Sequence, residues 1–281
     1  MEPMEKEATS LLVRLEEMIR QREDRAKRLP FFDASLWLGS PEGFPLATEY
    51  SLEQLQAAME GVGIRGGLVS HWYGKTLSAQ DGNRAVVEAL EKARRDLELF
   101  AVWTALPLFP AEPGPLPGQE GLSLPAWVRA VRLFPRSHHF PLTPWCVGPL
   151  CEWLRARRMP LFIWHTELEW PSLYELARTF PQLPLVVETQ TQKILYHTRP
   201  LFALLRDCPN VYVELSNFAG PGYLEYGVRE LGPERWLFGS FLPVSDPLVP
   251  LGLVIDADLP ESAQRLIAGE NLRRLLAEVS H

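Results

Sequence analysis

The side chains able to do chemistry recur at similar places along the chain. His71, His165, Glu188 and Glu214 each stand at or near the end of a short apolar run. Two imidazoles and two carboxylates are a workable donor set for zinc, although no spacing pattern forces these four together. Arg132 stands within the apolar run Val131 to Pro135. A buried guanidinium must find a partner. Glu214 or Glu188 could supply it from inside the protein, or a substrate carboxylate could, held in a two-pronged contact. His165 could then serve as general acid or base near neutral pH, with Arg132 holding the anion. Gln190, Ser216 and Asn217 would complete the polar set, and Ser35, Trp37 and Phe241 would line the same pocket.

These residues need elements to hold them. After Pro30 the chain alternates short apolar runs with helical patterns, as repeated βα units do. Strands are predicted at Phe31–Trp37, Gly67–His71, Leu99–Thr104, Ala130–Phe134, Leu161–His165, Leu185–Thr189, Val211–Ser216 and Trp236–Ser240. The predicted helices between them include a short one at Pro125–Val128. The tail Glu261–Val279 reads as helix broken near Gly269, with Asn271 as a cap. Eight strands in this order predict an α/β fold, a distorted (β/α)8 TIM-like barrel over residues 30–281. Residues 1–29 form a separate amphipathic helix. Its apolar positions are Leu11, Leu12, Leu15, Met18 and Ile19, ahead of the charged stretch Arg20 to Arg28. That helix could pack on the barrel's flank or bottom, or make a homodimer contact. Pro107–Pro125, rich in Pro and Gly, follows the third strand. It reads as a lid or pocket wall, or as a solvated excursion.

Bulk properties narrow the function classes. The chain has 281 residues, 46% of them hydrophobic and 22% charged, enough for a large core. Net charge is −7, with no basic run beyond Arg25 to Arg28, which argues against nucleic-acid binding. No apolar run is long enough to span a membrane. The stretch Met1 to Lys6 is acidic and has no apolar signal core, so a cytoplasmic location is expected. Cys146, Cys151 and Cys208 lack metal spacing and read as reduced thiols.

Two segments resemble the first and last strands of the amidohydrolase superfamily, in its decarboxylase and lactonase branch. They are Phe31-Phe32-Asp33-Ala34-Ser35-Leu36-Trp37-Leu38-Gly39 and Trp236-Leu237-Phe238-Gly239-Ser240-Phe241-Leu242-Pro243. Pro160 through His165 is similar to the family's fifth strand, Phe180 through Val187 to its approach to strand six, and Pro209 through Ser216 to its strand seven. Ile267 through Leu275 is similar to its closing helix. The family usually reads Asp-x-His-x-His-x-Gly at the first strand and Gly-Ser-Asp-x-Pro at the last. Ser35 and Trp37 stand at the two histidine positions, and Phe241 stands at the aspartate position. Arg132 falls near a bridging carboxylate or lysine position. The strand-six histidine position falls on Thr189, or with a small slip on Glu188 or Gln190. The resemblance leaves His165 as the one matching ligand.

The resemblance therefore implies the barrel without its metal site and with no cofactor. A hydroxyl is a poor metal ligand, an indole N–H only donates, and a guanidinium repels a cation. Three readings follow. The chain is a non-catalytic or small-molecule-binding relative of the hydrolases, with an organic anion as possible ligand. Or it is a metal-independent hydrolase or decarboxylase using His165 and Arg132. Or it is a structural or interaction protein. An open mouth with Arg132 unpaired would favour the second, and a filled mouth the third. Strand parity adds two expectations. His165 should face the barrel axis, and Trp164 should face the helices.

Overall fold

The computed structural model describes residues 2–41, 50–107, 124–190, 192 and 194–281, with side chains from residue 13 onward. Most of the Pro107–Pro125 segment therefore lies outside the described residues. Eight parallel strands pair in the order of the chain, forming a nearly closed (β/α)8 barrel. They are β1 (Asp33–Leu38), β2 (Gly66–His71), β3 (Glu98–Thr104), β4 (Val128–Leu133), β5 (Leu161–Trp164), β6 (Leu185–Glu188), β7 (Val211–Glu214) and β8 (Trp236–Leu237). The strand predicted at Trp236–Ser240 is thus two residues long, because Gly239 and Ser240 leave the ladder for the site. Backbone bonds Ala34 N to Phe238 O (2.9 Å) and Trp37 N to Leu242 O (2.8 Å) carry the seam between the first and last strands.

The helices of the βα units pack outside. They are α2 (Leu52–Gly61), α3 (Tyr73–Thr76), α4 (Ala79–Leu90), α5 (Pro144–Ala156), α6 (Trp170–Thr179), α7 (Thr198–Asp207), α8 (Tyr223–Leu231) and α9 (Leu248–Ile255). Local chemistry starts several of them. Ser51 and Gln54 form a reciprocal capping box at α2, Ser78 caps α4, and Pro144 opens α5. The short helix predicted at Pro125–Val128 is absent. Those residues form a turn, and Val128 already belongs to β4.

Apolar residues cover both faces of the barrel strands, as parallel sheets require. The odd positions of β5, Leu161 and Ile163, face the helices in the large outer core. Its even position Phe162 joins Phe32, Ala34, Leu68, Val102, Ala130, Val186 and Leu237 inside the barrel. The tail forms α10 (Glu261–Arg265), a π-helical turn (Leu266–Glu270) and α11 (Asn271–Ala277). Leu272, Leu275 and Leu276 of α11 close the floor of the barrel. Asn271 does not cap that helix. Its amide donates to Pro233 O (2.7 Å) and Trp236 O (3.0 Å), tying α11 to β8. The N-terminal helix α1 (Glu2–Arg28) meets the body at α9 through Arg22 and Arg25. Among the described residues, no helix is long and apolar enough to cross a membrane.

Candidate functional site

The C-terminal ends of the strands form the mouth, where this fold builds its sites. Pairing register sets Trp164 beside Glu188 and Glu188 beside Glu214. All three point inward, in step with Phe162 and Val186 below them. Arg132 reaches up from β4 and donates Nε–H to Glu188 Oε2 at 2.8 Å and Nη2–H to Glu188 Oε1 at 2.6 Å. This is a bidentate pair, and both side chains are at most 1% exposed. Arg132 also donates to Ser70 Oγ, and its guanidinium lies 4.6 Å from the Trp37 ring centroid. The partner of Arg132 is therefore Glu188, and Glu214 is engaged elsewhere. Glu214 accepts from Ser216 N (2.7 Å), Ser216 Oγ (3.0 Å) and Thr189 N (3.2 Å). Gly239 packs against this carboxyl so closely that a Cβ there would collide with it. The amide of Gln190 donates to Ser35 Oγ and to Ser216 Oγ (3.3 Å), and Trp37 Nε1–H donates to Ser35 Oγ at 3.1 Å. Ser35, Trp37, Gln190, Glu214 and Ser216 thus share one hydrogen-bonded network beside the ion pair.

A layer of rings closes over this polar layer. Trp37, Trp72, Phe134, Trp164 and Phe241 form one buried cluster. Trp37 touches all four others, at centroid distances of 4.6 to 6.5 Å. Most of these contacts are edge-to-face or tilted, which suits the ring quadrupoles. Phe241 takes φ 60°, a left-handed conformation costly to a residue with a side chain. Its carbonyl accepts from Val244 N (2.9 Å) and Ser245 N (3.1 Å), which holds that turn. Lys75 adds a cation 5.6 Å from the Trp164 centroid and 3.8 Å from Glu167.

The two histidines do not join this interior. His165 follows the outward parity of Leu161 and Ile163, contrary to the expected inward orientation, and Trp164 holds the inward position instead. The His165 ring lies 5.6 Å from that of His197, just before α7, and its Nδ1 sits 3.3 Å from Glu188 O. His197 in turn accepts from Trp170 Nε1 at 3.0 Å. His71 likewise sits one residue out of phase with the inward Ser70 and Trp72. Its Nδ1 accepts from Tyr73 N at 3.2 Å, and its ring packs on Gly39, whose φ of 83° suits glycine. The candidate set His71, His165, Glu188 and Glu214 is not brought together. Among the described residues, no group of three or more His, Cys, Asp or Glu is placed to hold a metal ion. Sequence reasoning missed Ser70 and Phe134 as partners of the interior. Their only signal was position at a strand end.

Burial dominates the electrostatics. It pushes the Glu214 carboxyl up to about 8, with the nearby Glu188 charge adding to the rise and bonds from Ser216 and Thr189 opposing it. Burial raises Glu188 as well, against the pull of Arg132. Asp33, at the root of the first motif, is raised to about 6 by burial, although its Oδ1 accepts from Ser35 N and Ser240 N. Burial drives His165 down to about 4. Near pH 7, His165 is therefore neutral and Glu214 is largely protonated.

The family model for amidohydrolases matches residues 125–277. The chain belongs to the amidohydrolase family. No curated protein matches it in sequence. Among solved structures it is similar to an amidohydrolase from Bifidobacterium longum subsp. infantis, at 17% identity and TM-score 0.65, covering 89% of this chain and 99% of that one. It is also similar to a zinc-bound amidohydrolase from Burkholderia multivorans, at 14% identity and TM-score 0.64, with 88% and 99% covered. A 5-carboxyvanillate decarboxylase from Sphingomonas paucimobilis aligns at 14% identity and TM-score 0.59, with 90% and 100% covered. At these identities the likeness is one of fold.

Proposed function

We propose that this chain is a non-catalytic member of its family, a barrel whose reaction centre has become structural core. The observation that carries this reading is the bidentate Arg132–Glu188 pair beneath the five packed rings. A metal site needs imidazole nitrogens and carboxylates converging on one point. The interior positions here hold Ser35, Trp37, Ser70, Arg132, Trp164 and Phe241 instead. The Arg132 guanidinium would repel a divalent cation. Glu188, the carboxylate best placed for a ligand, already has both oxygens bonded to it. These residues do not fit the zinc of the Burkholderia relative.

The metal-independent alternative fares worse on this geometry. Its acid–base group, His165, faces the helices and is held neutral by burial, while its anion holder already binds Glu188. A cytoplasmic setting fits the three unpaired cysteines. The test is elemental analysis of protein expressed with added zinc and manganese, together with assays on 5-carboxyvanillate and on simple lactones. We expect no stoichiometric metal after mild chelation and no turnover. One retained equivalent, or turnover abolished by Arg132→Met, would overturn the proposal.

A further inference from the structure

We infer that α1 is a self-association helix, and that its occupant is the α1 of a second copy, packed antiparallel. Among the described side chains of this helix, those of residues 13–24 are all exposed on the single chain. Val13, Leu15, Met18 and Ile19 are 45–65% exposed. Leu15, Met18 and Ile19 recur at the three-and-four interval of a helix–helix seam. Scattered exposed apolar residues need no explanation, but a stripe on one helix does.

The anchoring of α1 adds a second patch to the stripe. Arg28 faces Glu261 (3.7 Å), Arg25 donates to Ile255 O (2.9 Å), and Arg22 binds both carboxylate oxygens of Asp256 (2.9 and 3.0 Å) while lying against Gly252. Contact positions fall on both segments together, so α1 runs parallel to α9. The next turn of α1, at Met18 and Ile19, heads for the start of α9. There Leu248 and Val249 are 59% and 72% exposed.

Charge selects the partner and its direction. Residues 2–17 hold five acidic and two basic residues, whereas residues 18–28 hold five basic and two acidic. A parallel pair would set acid against acid and base against base. An antiparallel pair about a two-fold axis sets each acidic half on the partner's basic half, and such an isologous contact closes at two copies. Helices that lie on membranes carry Lys and Arg along their polar face. Here Glu16, Glu17 and Asp24 share the polar face with Arg14, Arg20 and Lys27, and that mixed charge favours a second copy over a lipid surface.

The test is the mass of the full chain in solution, by sedimentation and light scattering at tens of micromolar. We expect twice the chain mass. L15E/M18E should give the single-chain mass, with circular dichroism and urea unfolding of the barrel unchanged, and L248E/V249E should weaken the dimer. R20E/K27E leaves the α9 contacts in place and turns the net charge of residues 18–28 from +3 (five basic, two acidic) to −1 (three basic, four acidic). At low ionic strength it should also yield monomer, whereas a parallel pair would be strengthened by it. A monomeric wild type overturns the inference, and so does a dimer that survives L15E/M18E. A wild type that stays monomeric but floats with phosphatidylglycerol vesicles would make the stripe a lipid contact instead. A dimer tightened by R20E/K27E would refute the antiparallel arrangement.

Discussion

Arg132 and Glu188 are buried charges whose value lies in each other. A buried pair gains little over an apolar pair of the same size, but a lone buried charge is expensive. Arg132→Met should therefore destabilise the fold by about 3–5 kcal/mol, because Glu188 is left without its cation. R132M/E188L should recover most of that loss. Urea unfolding of the two single variants and the double variant measures the coupling. Additive losses would mean that the pair is not the unit described here. The same logic explains why Glu214, with no cation against it, is held up to about 8 while resting on three hydrogen bonds. Gly239 is the residue that makes room for it.

At the scale of one element, β5 decides what the mouth contains. It ends with Trp164 inside and His165 outside, and one residue of slip would exchange them. Trp164 is packed against Trp37, Trp72, Phe134 and Phe241. Trp164→Ala should cost about 3–5 kcal/mol through the cavity it leaves in the ring layer. His165→Ala should cost about 1–3 kcal/mol, from lost packing and one hydrogen bond at the β5–α7 boundary. Thermal unfolding of the two variants orders them. A larger loss for His165→Ala would place the imidazole, not the indole, at the centre of the mouth.

For the whole molecule, the buried acids set how stability follows pH. Glu214 titrates near 8 in the fold and near 4.5 in the unfolded chain. Its raised value contributes stability that is full below the unfolded value and is lost as pH rises through the folded one. Asp33, raised to about 6, acts in the same sense at lower pH. His165, lowered to about 4, acts oppositely, losing stability as pH falls below its ordinary range near 6.5. Between pH 6.5 and 8 only the Glu214 contribution changes among these three. Over that window the unfolding free energy should fall by about 2 kcal/mol, at roughly 1.4 kcal/mol per pH unit. Glu214→Gln should flatten the slope. Urea titrations across the window check both, and an unchanged slope in E214Q would assign the dependence to other groups.

The chain order alone determined the architecture. Eight apolar runs separated by helical patterns admit few folds besides a (β/α)8 barrel, and the end motifs named the family. The polar residues at the strand ends were legible too, since Arg132, Glu188 and Glu214 interrupt runs that are otherwise apolar. Which way each side chain points was not legible. A barrel strand is buried on both faces, so Leu161-Phe162-Ile163-Trp164 shows no alternation to mark its inner side. The bulge in β1 between Asp33 and Leu36 hides the phase there as well. Only the tertiary structure could set Trp164 inward, pair Arg132 with Glu188 rather than Glu214, and turn His71 and His165 away from both. Those choices depend on the register between neighbouring strands and on which ring fills the mouth, quantities that no single segment carries.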